Sequence, residues 1–142
     1  MNDMTNEQIY RNNLKTQLRE NYGKATYSYT VHNEMCNILL KKNNILKIAV
    51  IISSSISSFG FIGTVVHNAV WINLLSGIFS FLTLALTLYS KEENIAEIAQ
   101  KHKKTADELW IIREDYISLL TDYDELAISE IQGQRHILQE RL

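Results

Sequence analysis

The chain contains a long run without charged residues. From Ile48 to Ser90, 43 consecutive residues include no Lys, Arg, Asp or Glu, so all 30 of these residues lie in the remaining 99. A helix needs about 20 residues to cross a hydrocarbon core about 30 Å thick. The uncharged run is therefore long enough for two crossings. Two uncharged core helices of a soluble bundle are the alternative, which this length disfavours.

The uncharged run divides near its middle. Polar residues interrupt the apolar pattern between Thr64 and Asn68, and aromatic rings that suit a membrane interface stand at Trp71 and Tyr89. We predict a first transmembrane helix over residues 48–66, a turn over 67–69 and a second transmembrane helix over 70–89. So short a turn allows only a tight hairpin.

Basic residues flank both predicted crossings on one side. The turn has none, whereas lysines precede the first crossing and follow the second, at Lys41, Lys42, Lys47, Lys91, Lys101, Lys103 and Lys104. The positive-inside rule then places both termini in the cytoplasm and the turn on the opposite side. The single cysteine, Cys36, cannot form a disulfide within the chain, which fits a reducing compartment.

The segments outside the membrane predict long helices, because the chain has no Pro and its apolar residues recur at steps of three and four. We predict an N-terminal helical arm over 1–47, a heptad helix over 90–128 and a C-terminal tail over 129–142 that frays. The heptad seam comprises Ile95, Ile98, His102, Thr105, Leu109, Ile112, Tyr116, Leu119, Tyr123 and Leu126. A matching stripe in the arm comprises Leu18, Tyr22, Ala25, Tyr29, His32, Cys36 and Leu39.

Each predicted crossing carries a face of small and polar residues. The residues at helical spacing are Asn73, Ser76, Ser80, Thr83 and Thr87 on the second crossing and Ser53, Ser57 and Gly60 on the first. The two faces either pack against each other or line an aqueous path. Because two helices cannot enclose water, a path requires a homo-oligomer such as a tetramer, which Phe59, Phe61 or Phe81 could gate by dewetting.

A basic cluster follows the second crossing, and two tyrosines lie farther along the same helix. Its residues are Lys101, His102, Lys103 and Lys104, and the aromatic residues are Tyr116 and Tyr123. Repeated around an oligomer, this set could bind a nucleotide or short oligonucleotide through phosphate contacts and base stacking. A solvated or membrane-anchoring basic face, with both tyrosines as packing residues, is the plainer reading.

Enzymatic and metal chemistry find little support in the residues. The histidines are far apart in sequence, and none has a Cys or carboxylate partner at metal-ligand spacing. No nucleophile, acid and base form a recognisable set. We therefore expect neither an enzyme, nor a cofactor, nor a metal site.

The order of helix, two close crossings and the helix KEENIAEIAQKHKKTADELWIIREDYISLLTDYDE resembles the SLATT family of two-transmembrane effectors in bacterial conflict systems. The resemblance covers Tyr22 to Glu125, and its pattern includes Arg113, Tyr116, Leu119 and Leu120. It implies a pore-forming effector of antiphage defence, encoded beside a nucleotidyltransferase or another sensor whose nucleotide product controls the pore. Opening would depolarise the bacterial inner membrane.

Together these features predict an all-α membrane protein. A two-helix transmembrane hairpin continues into long cytoplasmic N- and C-terminal helices and assembles as a homo-oligomer. An alternative function is a non-conducting membrane scaffold that recruits a cytoplasmic partner protein through the acidic residues Asp122, Asp124 and Glu125.

Overall fold

The computed structural model describes residues 5–67 and 70–142, and for residues 61 and 63–67 it describes the backbone alone. The described residues form four helices and no strand, so the predicted all-α class is confirmed. The helices are α1 (Asn6–His67), α2 (Val70–Glu93), α3 (Ile95–Thr121) and α4 (Ile128–Arg141). They form two compact units: unit 1, Met1–Glu34 with Lys101–Leu142, and unit 2, Met35–Gln100.

Helix α1 starts at a reciprocal cap and continues for 62 residues. The backbone N–H of Thr5 donates to Gln8 Oε1 at 2.9 Å, and the Gln8 N–H donates to Thr5 Oγ1 at 3.4 Å. This pair satisfies donors that the first helical turn cannot satisfy itself. The predicted crossing over 48–66 lies within α1, whereas Asn68 and Ala69 of the predicted turn lie outside the described residues.

Helices α2 and α3 are separated by a single residue, Asn94. Its φ of 48° lies in the left-handed region, which Asn tolerates better than most residues. The Asn94 carbonyl accepts the N–H of Glu97 at 2.9 Å, and its Nδ2 donates to Glu97 Oε2 at 2.7 Å. The predicted heptad helix over 90–128 is therefore wrong at its start: α2 runs on to Glu93, and α3 begins at Ile95.

Unit 1 has a hydrophobic core built from α1, α3 and α4. The core residues are Leu14, Leu18, Ala25, Ile112, Tyr116, Leu119, Tyr123, Ile131 and Leu138. Most of the predicted seam on α3 is buried, but Ile98 is exposed and the small residues Ala99 and Ala106 are buried instead. The predicted seam thus lies on the correct face of α3, but some of its positions are wrong. Alanine was missed because it is small and common on both buried and exposed faces, so it marks a buried position weakly.

The C-terminal residues form a helix, so the predicted frayed tail is wrong. Helix α3 ends at Thr121, and α4 begins at Ile128 and buries Ile131 and Leu138. The Arg11 guanidinium donates to the carbonyls of Tyr123 and Leu126 at 3.5 and 2.8 Å, which satisfies acceptors in the turn between the helices. Two buried side chains seven residues apart anchor α4, too few to show as a heptad run.

Helix α4 is also tied to its neighbours by side-chain hydrogen bonds. Arg135 Nη1 donates to Gln17 Oε1 of α1 at 2.8 Å, and Arg141 Nη1 donates to Asp115 of α3 at 2.8 Å. These bonds add polar contacts at the rim of the unit 1 core.

In unit 2, α1 and α2 make a close contact through small residues. Ser76 Oγ donates to the Ser57 carbonyl at 2.8 Å, and Ser57 Oγ bonds the Ser76 carbonyl at 3.3 Å. A Cβ on Gly60 would lie 2.7 Å from Ser76 Cβ, closer than real carbon atoms approach. At this point the two small-residue faces pack against each other, which was one of the two alternatives left open by the sequence.

Helix α2 is the apolar helix of unit 2. Among the described residues, one helical segment, within Val70–Thr121, is long and apolar enough to cross a membrane, and its apolar window is not buried inside the chain. No residue of α2 is buried. Burial of this surface must therefore come from outside the chain, from lipid or from other protein.

Two buried tyrosines in the unit 1 core differ in one hydrogen bond, which predicts opposite effects of removing their hydroxyls. Tyr116 OH lies beside the Asn21 side chain but makes no hydrogen bond of good geometry among the described residues, whereas Tyr123 OH donates to the Arg11 carbonyl at 2.5 Å. We expect Tyr116→Phe to stabilise the full chain by up to about 1 kcal/mol and Tyr123→Phe to destabilise it by about 1 kcal/mol. Unfolding in mild detergent measures both changes. Equal losses in the two variants would contradict this account of the core.

Candidate functional site

The hydroxyl groups predicted to line a pore lie mainly at the contact between α1 and α2. Ser53 is buried, and Ser57 bonds both Ser76 and Ser80. Together with Gly60, Ser53, Ser57 and Ser76 lie at the helix contact, which covers them at least in part, whereas Ser80 is exposed at the edge of that contact. That these residues line an aqueous path stays a prediction, and the burial of Ser53 in the single chain counts against it at that position.

The remaining predicted pore residues lie on α2 around this contact. Thr83 Oγ1 donates to the Phe79 carbonyl at 2.8 Å, and Thr87 Oγ1 donates to the Thr83 carbonyl at 2.7 Å. Such bonds return a hydroxyl to its own helix, so neither needs a partner elsewhere. Asn73 is exposed. The side chain of Phe61, one predicted gating ring, lies outside the described side chains.

A second serine face points away from the helix contact. Ser54, Ser55 and Ser58 line a groove of about 280 Å³ on α1 together with Phe59 and Ile62. Their hydroxyls donate to backbone carbonyls three or four residues earlier, at 2.7–3.0 Å. Sequence analysis missed this face because five serines lie within six residues, where spacing alone does not separate the two sides of the helix.

The outer face of α2 is apolar and open. Trp71 and Phe81 have 78% and 73% of their surface exposed. A groove of about 610 Å³ runs along this face, lined by Val70, Asn73, Leu74, Gly77, Ile78 and Phe81. An apolar patch of this kind is typical of surfaces that meet lipid or protein.

The predicted basic cluster lies on α3 in unit 1 and is partly neutralised by acids one turn later. Lys103 Nζ is 2.7 Å from Asp107 Oδ1, and Lys104 Nζ is 3.9 Å from Glu108 Oε1. All four side chains of these pairs are more than half exposed, so each pair contributes little to stability. The cluster remains accessible to an anionic ligand, which would compete with the two carboxylates.

The structure brings together two histidines that the sequence separates by 70 residues. His102 Nδ1 lies 3.0 Å from His32 Nδ1, and the ring centroids are 5.0 Å apart. One ring must donate and the other accept for this hydrogen bond to form. The predicted ligand residue His102 is thus held by α1, and sequence analysis missed His32 because its place in an apolar stripe indicated packing alone.

Both predicted stacking tyrosines are core residues. Tyr116 is fully buried and Tyr123 is 2% exposed, so a base cannot reach either ring without separation of the helices. This corrects the prediction that they stack on a nucleotide. Burial raises the pKa of both phenols above the usual value near 10, so unit 1 holds them in the neutral form.

A polar cluster joins α1 to α2 at the end of the second predicted membrane span, whose last residue is Tyr89. Lys42 Nζ donates to Tyr89 OH at 3.1 Å and lies 3.8 Å from Glu93 Oε2. The hydrogen bond with Tyr89 raises the pKa of Lys42 above its usual value. The described residues contain no group of three or more metal-ligating side chains.

Comparison with known proteins adds one finding. No curated protein and no solved structure matches the chain significantly. One family model matches residues 14–142, and its description is SMODS and SLOG-associating 2TM effector domain family 4. That match spans both units and most of the chain, in agreement with the open apolar helix α2. The chain therefore belongs to the SMODS and SLOG-associating two-transmembrane (SLATT) effector domain family.

Proposed function

We propose that the chain is the subunit of a pore-forming membrane effector in bacterial antiphage defence. Its opening would depolarise the inner membrane of the infected cell. The observation that carries the proposal is α2, an apolar helix with no buried residue in a chain of a two-transmembrane effector family. The lysine asymmetry of the sequence supports cytoplasmic N and C termini.

The pore in this proposal is formed by several copies of the chain. One copy supplies two predicted crossings, which cannot enclose water. The open groove around Gly77 on α2 offers a surface on which a second copy can pack, since small residues let membrane helices approach closely. Subunit contacts on this face would leave the α1–α2 contact within each copy intact.

In this arrangement we assign the lining of the pore to the serine face of α1, formed by Ser54, Ser55 and Ser58. Ser54 and Ser58 are one turn apart and line the groove beside the helix contact, turned by roughly 60° and 100° around α1 from Ser57. Their hydroxyl oxygens keep accepting capacity after donating to the backbone, so they can solvate ions or water. Ile52 and Ile56 lie on a third side of α1 and suit contact with lipid.

Gating in this proposal comes from unit 1. A nucleotide or short oligonucleotide, made by a companion nucleotidyltransferase, would bind the basic cluster formed by Lys101, His102, Lys103 and Lys104 in several copies. A ligand shifts a gate only by its difference in affinity for the closed and open states. Competition between phosphate and the carboxylates of Asp107 and Glu108 supplies one source of such a difference.

A scaffold is the second candidate function. The turn between α3 and α4 exposes Asp122, Asp124 and Glu125, and Asp124 is paired only at the surface, with Lys15 at 3.1 Å. Such an acidic surface suits a basic partner protein. A scaffold and a channel differ in conduction, which the next experiment measures.

Cysteine block of the current tests the proposed channel and its wall. In a Cys36→Ala background reconstituted in liposomes, cyclic dinucleotides, cyclic trinucleotides and short oligonucleotides are added in turn to activate the current. We expect a positively charged thiol reagent to reduce the current of Ser58→Cys and to leave Ile56→Cys unchanged, because only the first side chain faces water.

Three other outcomes decide against parts of this account. Block at Ser80→Cys with no block at Ser58→Cys would return the wet face to the α1–α2 contact. Block at Ile56→Cys would contradict the assignment of that side to lipid. Absence of current with every ligand would favour the scaffold.

Calorimetry with the same ligands tests the basic cluster. We expect the variant with Lys101, Lys103 and Lys104 all changed to Ala to bind at least tenfold more weakly. Its affinity should also depend less on salt concentration, because fewer phosphate contacts release fewer counterions on binding. The control changes Arg19, Lys24 and Lys41 to Ala, which removes the same charge from α1. Equal binding by both variants would place the ligand elsewhere.

A further inference from the structure

A groove with two lysines lies between α1 and α2 in unit 2. It has a volume of about 440 Å³, within the range of small-molecule sites. Its lining includes Lys47, Val50 and Ile51 from α1 and Thr87, Ser90 and Lys91 from α2. The groove thus combines an apolar wall with two ammonium groups and includes no carboxylate.

The two lysines occupy a particular place in the sequence. Lys47 immediately precedes the uncharged run, and Lys91 immediately follows it. Antiparallel packing of α1 and α2 brings these two ends together at one groove. In a two-transmembrane protein this is the level at which lipid phosphates meet the hydrocarbon region.

Both lysines are available to a ligand. Across residues 5–67 and 70–142, neither ammonium group has an ion-pair or hydrogen-bond partner, whereas nearby Lys42 is engaged by Tyr89 and Glu93. The hydroxyl of Ser90, half-buried in the same groove, adds a donor of short reach. Two cations and a hydroxyl at one end of an apolar groove match a phosphate at the end of an acyl chain.

We propose that this groove binds one anionic phospholipid, with Lys47 and Lys91 holding the headgroup phosphate and Val50 and Ile51 contacting an acyl chain. The bound lipid would link the ends of the two predicted crossings, because its phosphate would pair with the ammonium groups of both Lys47 and Lys91. The assignment rests on the groove and the family's membrane location, and is independent of conduction or nucleotide binding.

Native mass spectrometry of the full chain in detergent tests the lipid site. The probes are phosphatidylglycerol and phosphatidylcholine with identical acyl chains. We expect a preference for phosphatidylglycerol of about 30-fold, the value for two lysines that each contribute about 1 kcal/mol toward an anionic lipid. The variant Lys47→Gln with Lys91→Gln should lose this preference, and Lys47→Arg with Lys91→Arg should keep it.

The control variant, Lys24→Gln with Lys41→Gln, removes the same charge from exposed positions outside the groove and should bind like the wild type. Circular dichroism checks that every variant keeps its helices. Equal retention of both lipids by the wild type, or equal preference in the groove and control variants, would overturn the proposal. Displacement of the lipid by glycerol 3-phosphate would assign the site to soluble phosphate compounds instead.

Discussion

The close approach of α1 and α2 at Gly60 and Ser76 sets the arrangement of unit 2. Without a side chain on Gly60, the helices come near enough for Ser57 and Ser76 to exchange hydrogen bonds with each other's backbone. In a bilayer, where burial of apolar side chains gives no net gain, such packing and hydrogen bonding are what hold helices together. The other surfaces of both helices remain free for lipid, water or further copies.

Three surfaces of unit 2 follow from this single contact. The serine face of α1 turns outward because Ser57 and Gly60 turn inward. The apolar face of α2 stays open because the polar side of α2 is the one that packs against α1. The ends of the uncharged run meet, so Lys47 and Lys91 share one groove. Each surface has a different chemistry, and we propose them as an aqueous pore wall, a subunit contact and a lipid site, respectively.

Unit 1 is held together by burial of apolar and aromatic side chains. Leu18, Tyr116 and Ile131 are fully buried, one from each of its three helices. The sequence predicts two of these helices well, since a seam sustained over many turns marks a buried face. It does not predict α4, whose stability comes from two buried side chains and from bonds such as Arg135 to Gln17 that no local pattern reveals.

The candidate sites show the same division between local and long-range information. The uncharged run, the lysines that flank it and the basic cluster at Lys101 are each contiguous in the sequence, so they can be identified without a structure. The pairing of His32 with His102 depends on how two helices dock. Which serines lie at the helix contact and which lie on an open face depends on which side of α1 packs against α2, and that side is the one that carries Gly60. Periodicity shows which residues share a face but does not identify the surface that covers it.

Gly60 permits a close contact between α1 and α2 that a residue with a side chain would prevent. The direct measurement compares Gly60→Ala with Gly23→Ala in the same helix, since a Cβ on Gly23 would meet no atom within 4 Å. The free energy of unfolding of the full chain is measured in mild detergent by titration with SDS. We predict that Gly60→Ala loses about 1–3 kcal/mol from overpacking, while Gly23→Ala is neutral or gains up to about 1 kcal/mol from helix propensity. Equal gains in both variants would show that α1 and α2 do not approach closely at Gly60 and would contradict the account.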